Sequence, residues 1–223
     1  MHKKYIIWQL LKALKYLHSA DLLHRDGKPS NILLNSDCHI KVCDFGLCRS
    51  IAETSGPAPV LTDYVATRWY RAPEILLGST KYTRGVDLWA VGAILGEMLN
   101  GRPIFPGTST MNQIERIIEV TNMPSREDID SLSSPFAATM LESLPQLSYK
   151  SIAQTFPTAT PDALDLIKVC FHFNPDKRPN TEALLCHEYV SEFHNEEDEP
   201  NYPHGPLVLP IDDNTKLTAA QYR

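Results

Sequence analysis

Residues 86–99 read V-D-L-W-A-V-G-A-I-L-G-E-M-L, and this run restricts the fold more than any other. On a helix of 3.6 residues per turn, Val86, Leu88, Trp89, Val91, Ile94, Leu95, Met98 and Leu99 reach nearly every side, which leaves almost no face for water. Such a helix must be enclosed by other elements, so it forms the axis of a core. No apolar run approaches the length needed to span a bilayer. A chain of 223 residues with 43% hydrophobic content has enough material to enclose that axis.

The enclosing elements can be read from periodicity. Ile6, Ile7, Leu10, Leu11, Leu14 and Leu17 recur at helical spacing with Lys4, Lys12 and Lys15 mostly opposite, which predicts a helix starting almost at residue one. A helix with no cap and nothing before it suggests a chain that starts inside a longer fold. Further helices are expected over 111–120, over 162–171 with Pro161 in the first turn, and over 181–189. Two β-type stretches, 32–34 and 40–43, flank the turn-forming Asn35-Ser36-Asp37 and predict a small hairpin. Residues 50–63, rich in Ser, Thr, Gly and Pro, read as a mobile surface loop, and 201–210, with its prolines, as an extended tail.

Charge and cysteine content exclude several functions. With 27 acidic against 21 basic side chains the mean field has the wrong sign for nucleic acid. Cys38, Cys43, Cys48, Cys170 and Cys186 are odd in number and lack C-x-x-C spacing, so neither a disulfide framework nor a zinc site is indicated. Reduced thiols and the lack of a signal peptide in Met1-His2-Lys3-Lys4 lead us to expect a soluble protein of the cytoplasm or nucleus.

The chemistry concentrates in residues 24–31, H-R-D-G-K-P-S-N. Asp26 is a carboxylate able to accept a hydroxyl proton, Lys28 an ammonium able to offset phosphate charge, and Asn31 an amide oxygen able to meet a hard cation. Asp44 follows 18 positions after Asp26, and the hairpin between would fold it back beside Asn31, as a Mg²⁺-phosphate complex requires. Taken alone, H-R-D is equally compatible with an ordinary charged surface turn.

In combination these residues resemble the eukaryotic protein kinases: residues 24–31 are similar to the catalytic loop H-R-D-x-K-x-x-N, Asp44-Phe45-Gly46 to D-F-G, and Ala72-Pro73-Glu74 to A-P-E. The resemblance implies Asp26 as catalytic base, Lys28 at the γ-phosphate, and Asn31 and Asp44 as Mg²⁺ ligands. It implies Leu33 as the apolar floor of an ATP site that Ser30 and Cys43 also line. Asp87 would brace the catalytic loop, and Glu74 would pair with Arg178. Thr62-Asp63-Tyr64 is similar to the dual phosphorylation signature of the mitogen-activated protein kinases, and residues 65–74 resemble that family's proline-accepting substrate pocket. Thr67 would bond Asp26 and Lys28. Two phosphates would bring a charge of roughly −3 to −4 that Arg25, Arg49, Arg68 and Arg71 could receive, although each arginine singly reads as a surface or ion-pair residue.

Residues 105–110 resemble the insert of this kinase group. Residues 195–200 resemble its acidic docking patch, with Asp198 and Glu199 attracting basic peptides, although an acidic run is more usually a solvated face. The sequence is most similar to the atypical extracellular-signal-regulated, or mitogen-activated protein kinase 15, branch. Two residues depart from the pattern. Cys48 stands where alanine is usual, and Gly27 replaces an apolar residue, so Gly27→Leu is expected to stabilise the fold by about 1 kcal/mol. No glycine-rich phosphate loop, V-A-I-K lysine or glutamate-bearing αC helix is present in the sequence.

The fold class expected is α+β, mainly α: the C-terminal lobe of a protein kinase over 1–190 with a small β-hairpin and no ATP-binding N-terminal lobe, then an acidic docking segment and extension over 191–223. The activity expected is transfer of phosphate from ATP, with Mg²⁺, to Ser or Thr followed by Pro in protein substrates. A chain of this extent alone is expected to be inactive and to attract chaperones. The alternative is a non-catalytic docking or decoy fragment.

Overall fold

The computed structural model describes residues 1–51, 68–79, 81–207, 218, 220 and 221. Helix α1 spans His2–Ser19, and the chain then turns through Asp21, whose φ of 56° is left-handed, into strand β1, Leu22–Leu23. Strands β2, Ile32–Leu34, and β3, Ile40–Val42, form an antiparallel hairpin in register Ile32↔Val42 and Leu34↔Ile40. Its turn closes on Asn35, whose Oδ1 accepts the N–H groups of Asp37 at 3.0 Å and His39 at 2.8 Å. Strand β4, Arg49–Ser50, returns to pair with β1, Leu23 opposite Arg49.

From residue 73 onward the described fold is helical: α2 (Pro73–Leu76), α3 (Gly85–Asn100), α4 (Thr110–Thr121), α5 (Arg126–Ser131), α6 (Ala137–Glu142), α7 (Ile152–Thr155), α8 (Pro161–Cys170) and α9 (Thr181–Leu185). Every residue of α3 from Gly85 to Gly96 is buried, as the apolar run requires. The helix packs on α1 and α8. Gly92 permits the second contact, because a Cβ there would lie 2.8 Å from both Cys170 Cβ and the Phe171 ring. Around Trp89 the rings of Phe171 and Phe105 pack at centroid distances of 4.8 and 5.8 Å. Gly101, at φ 69°, ends the helix in a left-handed cap.

Some elements differ from expectation. The helix predicted over 181–189 stops at Leu185. Its successor turns tightly instead, with His187 N–H donating to Leu184 O and His187 Nδ1 accepting from Tyr189 N–H. The short helices α5 to α7 carry too little periodicity to be read from sequence. Two of them, α5 and α7, are closed by capping boxes, Ser125 with Asp128 and Ser151 with Gln154. Of the loop expected over 50–63, Ser50 belongs to β4 and residues 52–63 lie outside the described set. The tail over 201–207 runs without helix along the end of α1, where Tyr202 N–H donates to Ser19 Oγ and Leu207 N–H to Ala20 O. Among the described residues no helix is long and apolar enough to cross a membrane.

Candidate active site

After β1 the chain must reverse, and it does so through Arg25, held at φ 66°. A left-handed residue with a side chain costs about 1–2 kcal/mol, so something must hold it. Asp87, in the first turn of α3 and 2% exposed, accepts the backbone N–H groups of His24 at 3.0 Å and Arg25 at 2.8 Å, and lies 2.9 Å from His18 Nε2 on α1. Burial opposes ionisation of this carboxyl. The hydrogen bonds from His18 and from the two backbone groups outweigh that effect and hold its pKa below the ordinary value. The loop is thereby anchored to the core axis at the residue before Asp26.

Asp26, Lys28 and Asn31 converge. Lys28 Nζ donates to Asp26 Oδ2 at 2.6 Å, and Asn31 Nδ2 donates to the same oxygen at 3.0 Å and to Asp26 O at 2.9 Å. With both of its N–H bonds directed at Asp26, Asn31 has its amide oxygen left to meet a cation. His24, 1% exposed, fixes the loop from behind: Nδ1 accepts from Asp26 N–H, and Nε2 donates to Cys43 O at 3.1 Å. Those backbone partners set its tautomer, with the proton on Nε2. Its ring also meets Phe45 edge-on at 5.2 Å.

The β2–β3 hairpin returns the chain to this loop, where Cys43 N–H donates to Asn31 O at 3.0 Å. The next residue, Asp44, is exposed and sits at φ 63°, a second left-handed position with a side chain. The backbone pairing brings the residue before Asp44 onto Asn31, while Asp44 Oδ1 accepts from Gly46 N–H at 3.4 Å. Among the described residues no group of three His, Cys, Asp or Glu side chains could enclose a metal by itself. One carboxylate and one amide oxygen suit Mg²⁺, which keeps several waters and takes its remaining ligands from phosphate. Ser30 is exposed, and Cys43 offers its backbone, both groups of which are engaged by Asn31 and His24. Leu33 is 57% and Phe45 49% exposed, so the apolar floor beside the loop is open to solvent.

The remaining candidates divide. Strand pairing puts Arg49 opposite Leu23, two residues before Arg25, whose guanidinium lies 4.9 Å from the Tyr82 ring centre. Arg68 reaches another region, donating to Thr108 O at 3.4 Å, while Trp69 Nε1 donates to Gly107 O at 3.0 Å. Arg71 N–H bonds Arg68 O. Thr62, Tyr64 and Thr67 lie outside the described residues. Glu74 and Arg178, with side chains fully buried, form a bidentate pair at 2.7 and 2.8 Å. Arg178 spends its other N–H groups on the carbonyls of His172, Gly85 and Phe173, so all five donors are satisfied.

Two expectations need correction. Asp198 and Glu199 do not share an exposed patch. Asp198 is exposed, but Glu199 is 1% exposed and accepts from Trp8 Nε1 at 2.7 Å and from Asn195 N–H at 3.2 Å, with His194 Nδ1 at 2.9 Å. Its carboxylate anchors the tail to α1 and is not available to a peptide. Gly27 does not leave a leucine-sized hole. A Cβ there would lie 2.8 Å from Ala90 Cβ, because the loop has closed onto α3, and the adjoining cavity is only about 20 Å³.

Sequence reasoning missed three residues of α1: Trp8 holding Glu199, Gln9 bridging Cys38 O and Ile40 N–H, and His18 holding Asp87. His18 had a signal, since it continues the apolar stripe of Leu11 and Leu14 at helical spacing.

Comparison with known proteins places the sequence in a family. Residues 2–190 match the protein kinase domain family. Over its whole length the chain is 58% identical to extracellular signal-regulated kinase 2 of Dictyostelium discoideum, covering 61% of that protein. It is 51% identical to mitogen-activated protein kinase 15 of Xenopus laevis and 47% identical to that of Caenorhabditis elegans, covering 38% and 48% of them. The chain therefore spans about half the length of these curated relatives. By its catalytic-loop, D-F-G and A-P-E residues and by the match over residues 2–190, the chain belongs to the protein kinase domain family, and it is similar to relatives named as extracellular signal-regulated and mitogen-activated protein kinases.

Proposed function

We propose that these residues form the phosphoacceptor half of a serine/threonine protein kinase that phosphorylates Ser or Thr followed by Pro. The observation that carries this reading is the convergence of Asp26, Lys28 and Asn31, with the hairpin returning Asp44 beside them. An incoming hydroxyl would be oriented by Asp26, which takes its proton as the oxygen attacks the γ-phosphorus. Lys28, already within 2.6 Å of that carboxylate, offsets negative charge on the transferred group. Asn31 and Asp44 would hold magnesium, which when bound neutralises phosphate oxygens. Trp69, tied to Gly107 O, supports the floor of the proline-accepting pocket.

Residues 1–223 contain no glycine-rich phosphate loop and no V-A-I-K lysine. Taken alone they leave the α- and β-phosphates unoriented, and positioning supplies much of phosphoryl-transfer catalysis. We therefore expect transfer by this chain alone to be slower by several powers of ten, each about 1.4 kcal/mol. The test has two arms, both using labelled ATP, Mg²⁺ and a Ser-Pro peptide. In a protein that also carries the glycine-rich loop and strand lysine, Asp26→Asn should cut turnover about 10²–10⁴-fold without unfolding it. Near-normal turnover in that variant removes Asp26 from the mechanism. Robust transfer by residues 1–223 that vanishes with Asp26→Asn overturns the requirement for a second wall.

A further inference from the structure

After α9 three side chains that phosphoryl transfer does not use line up. Cys186, exposed at the end of α9, has its Sγ 3.6 Å from His194 Nε2. The other ring nitrogen, His194 Nδ1, lies 2.9 Å from Glu199 Oε2, and the Glu199 side chain is fully buried. A carboxylate can only accept, so Nδ1 carries the proton it donates to Glu199, and Nε2 presents a lone pair to the thiol. Glu199 is itself fixed, accepting from Trp8 Nε1 and Asn195 N–H. The Glu199 carboxyl is disfavoured as an anion by burial, but the bonds from Trp8 and His194 more than compensate and hold its pKa below the ordinary value. A nucleophile, a base within hydrogen-bond reach and a third group orienting the base are the arrangement that activates a thiol.

We propose that Cys186 is a modification site: a thiol activated by His194 that takes small neutral or cationic electrophiles, low-molecular-weight disulfides above all. The step balances without any other reactant. The Cys186 proton passes to His194 Nε2, the sulfur attacks one sulfur of the small disulfide, and a new S–S bond forms as the old one breaks. The departing thiolate recovers the proton from the imidazolium. Charge selection follows from the surroundings. Glu182, Glu188, Glu192, Glu196, Glu197 and Asp198 are all exposed on this part of the chain, and residues 180–199 contain no Lys or Arg. Three cations of α1 reach this side: Lys4 is paired with Asp162, Lys15 donates to Glu199 O and Lys12 lies over the Trp8 ring, so the acids outnumber them. An anionic disulfide such as glutathione disulfide is therefore repelled relative to cystamine. Among the described residues no group of three His, Cys, Asp or Glu side chains could hold a metal ion, so the line of Cys186, His194 and Glu199 is not a metal site.

The experiment compares all five cysteines of the native chain by brief iodoacetamide labelling and peptide mass spectrometry. Cys186 should label about tenfold faster than Cys38, Cys43 and Cys48. His194→Gln, which keeps a donor for Glu199 but provides no base, should remove that advantage. Cystamine should form the mixed disulfide faster than glutathione disulfide, with the difference shrinking in salt. If Cys186 labels no faster than the three half-buried thiols, or if His194→Gln leaves its rate unchanged, the proposal fails. Because Cys186 is the more exposed thiol, its rate is also set against that of free cysteine at the same pH; a Cys186 rate no faster than free cysteine overturns the proposal even if the variant does not fold.

Discussion

Gly27 offers the sharpest test of how the loop meets the core. Gly27→Ala adds one carbon, placed 2.8 Å from Ala90 Cβ where ordinary contact begins at 3.4 Å. One partner must move by several tenths of an ångström, and neither moves cheaply. Ala90 lies inside the buried axis, and the loop is pinned on one side by Asp87 and on the other by the bonds among Asp26, Lys28 and Asn31. Over-packing of this kind costs about 1–3 kcal/mol, and the reduced freedom of the unfolded chain returns about 0.4–1 kcal/mol. The net expectation is a loss of about 0.5–2 kcal/mol, with each kcal/mol lowering Tm by about 2–4 °C at this length. Gly27→Leu should be worse than alanine. The adjoining cavity of about 20 Å³ holds one water-sized group, and leucine brings three further carbons. Urea unfolding followed by tryptophan fluorescence gives the order glycine, alanine, leucine from most to least stable. The decisive measurement is the double-mutant cycle with Ala90→Gly. That change removes the colliding carbon and alone costs about 1 kcal/mol of helix propensity, yet it should recover about 1 kcal/mol in the Gly27→Ala background. A leucine variant as stable as the parent, or a coupling near zero, refutes the collision.

Other outcomes follow from the same structure. Glu74→Gln leaves the Arg178 guanidinium buried without its counter-charge and should cost about 3–5 kcal/mol in chemical denaturation; a loss under 1 kcal/mol would show that the three carbonyl partners and the Trp89 ring, 5.1 Å from the guanidinium, suffice. Asp87 has a lowered pKa, so the stability it confers is complete above its ordinary value of 3.8 and is lost as pH falls below that toward the folded value. Asp87→Asn should accordingly flatten the acid limb of the stability profile, and an unchanged limb would place the acid sensitivity elsewhere. Asp198→Lys should weaken binding of a basic docking peptide while leaving Tm within about 1 °C, whereas Glu199→Gln should lower Tm, as calorimetry and peptide titration can separate. Cys170, whose thiol burial raises to about 12, should resist alkylation until the protein unfolds.

Much of this was legible in the residues themselves. A run with apolar side chains on every face can only be an enclosed helix, and α3 is buried along its first 12 residues. Two β-type stretches around the Asn35 turn indicate a hairpin, and its length returns Cys43 to Asn31 and so places Asp44 one residue on. These features are local: spacing along the chain sets helix or strand, and a turn residue sets where it reverses. The tertiary structure alone decided which polar groups are buried and what they hold. Glu199 reads as one more acid in a solvated run until Trp8, 191 positions away, donates to it. Cys186 reads as a stray thiol until Glu199 orients His194 toward it. Gly27 reads as a hole until α3 closes on the loop. Each outcome depends on the desolvation of a group by elements remote in sequence, and a pattern of neighbours along the chain carries no record of which remote element arrives.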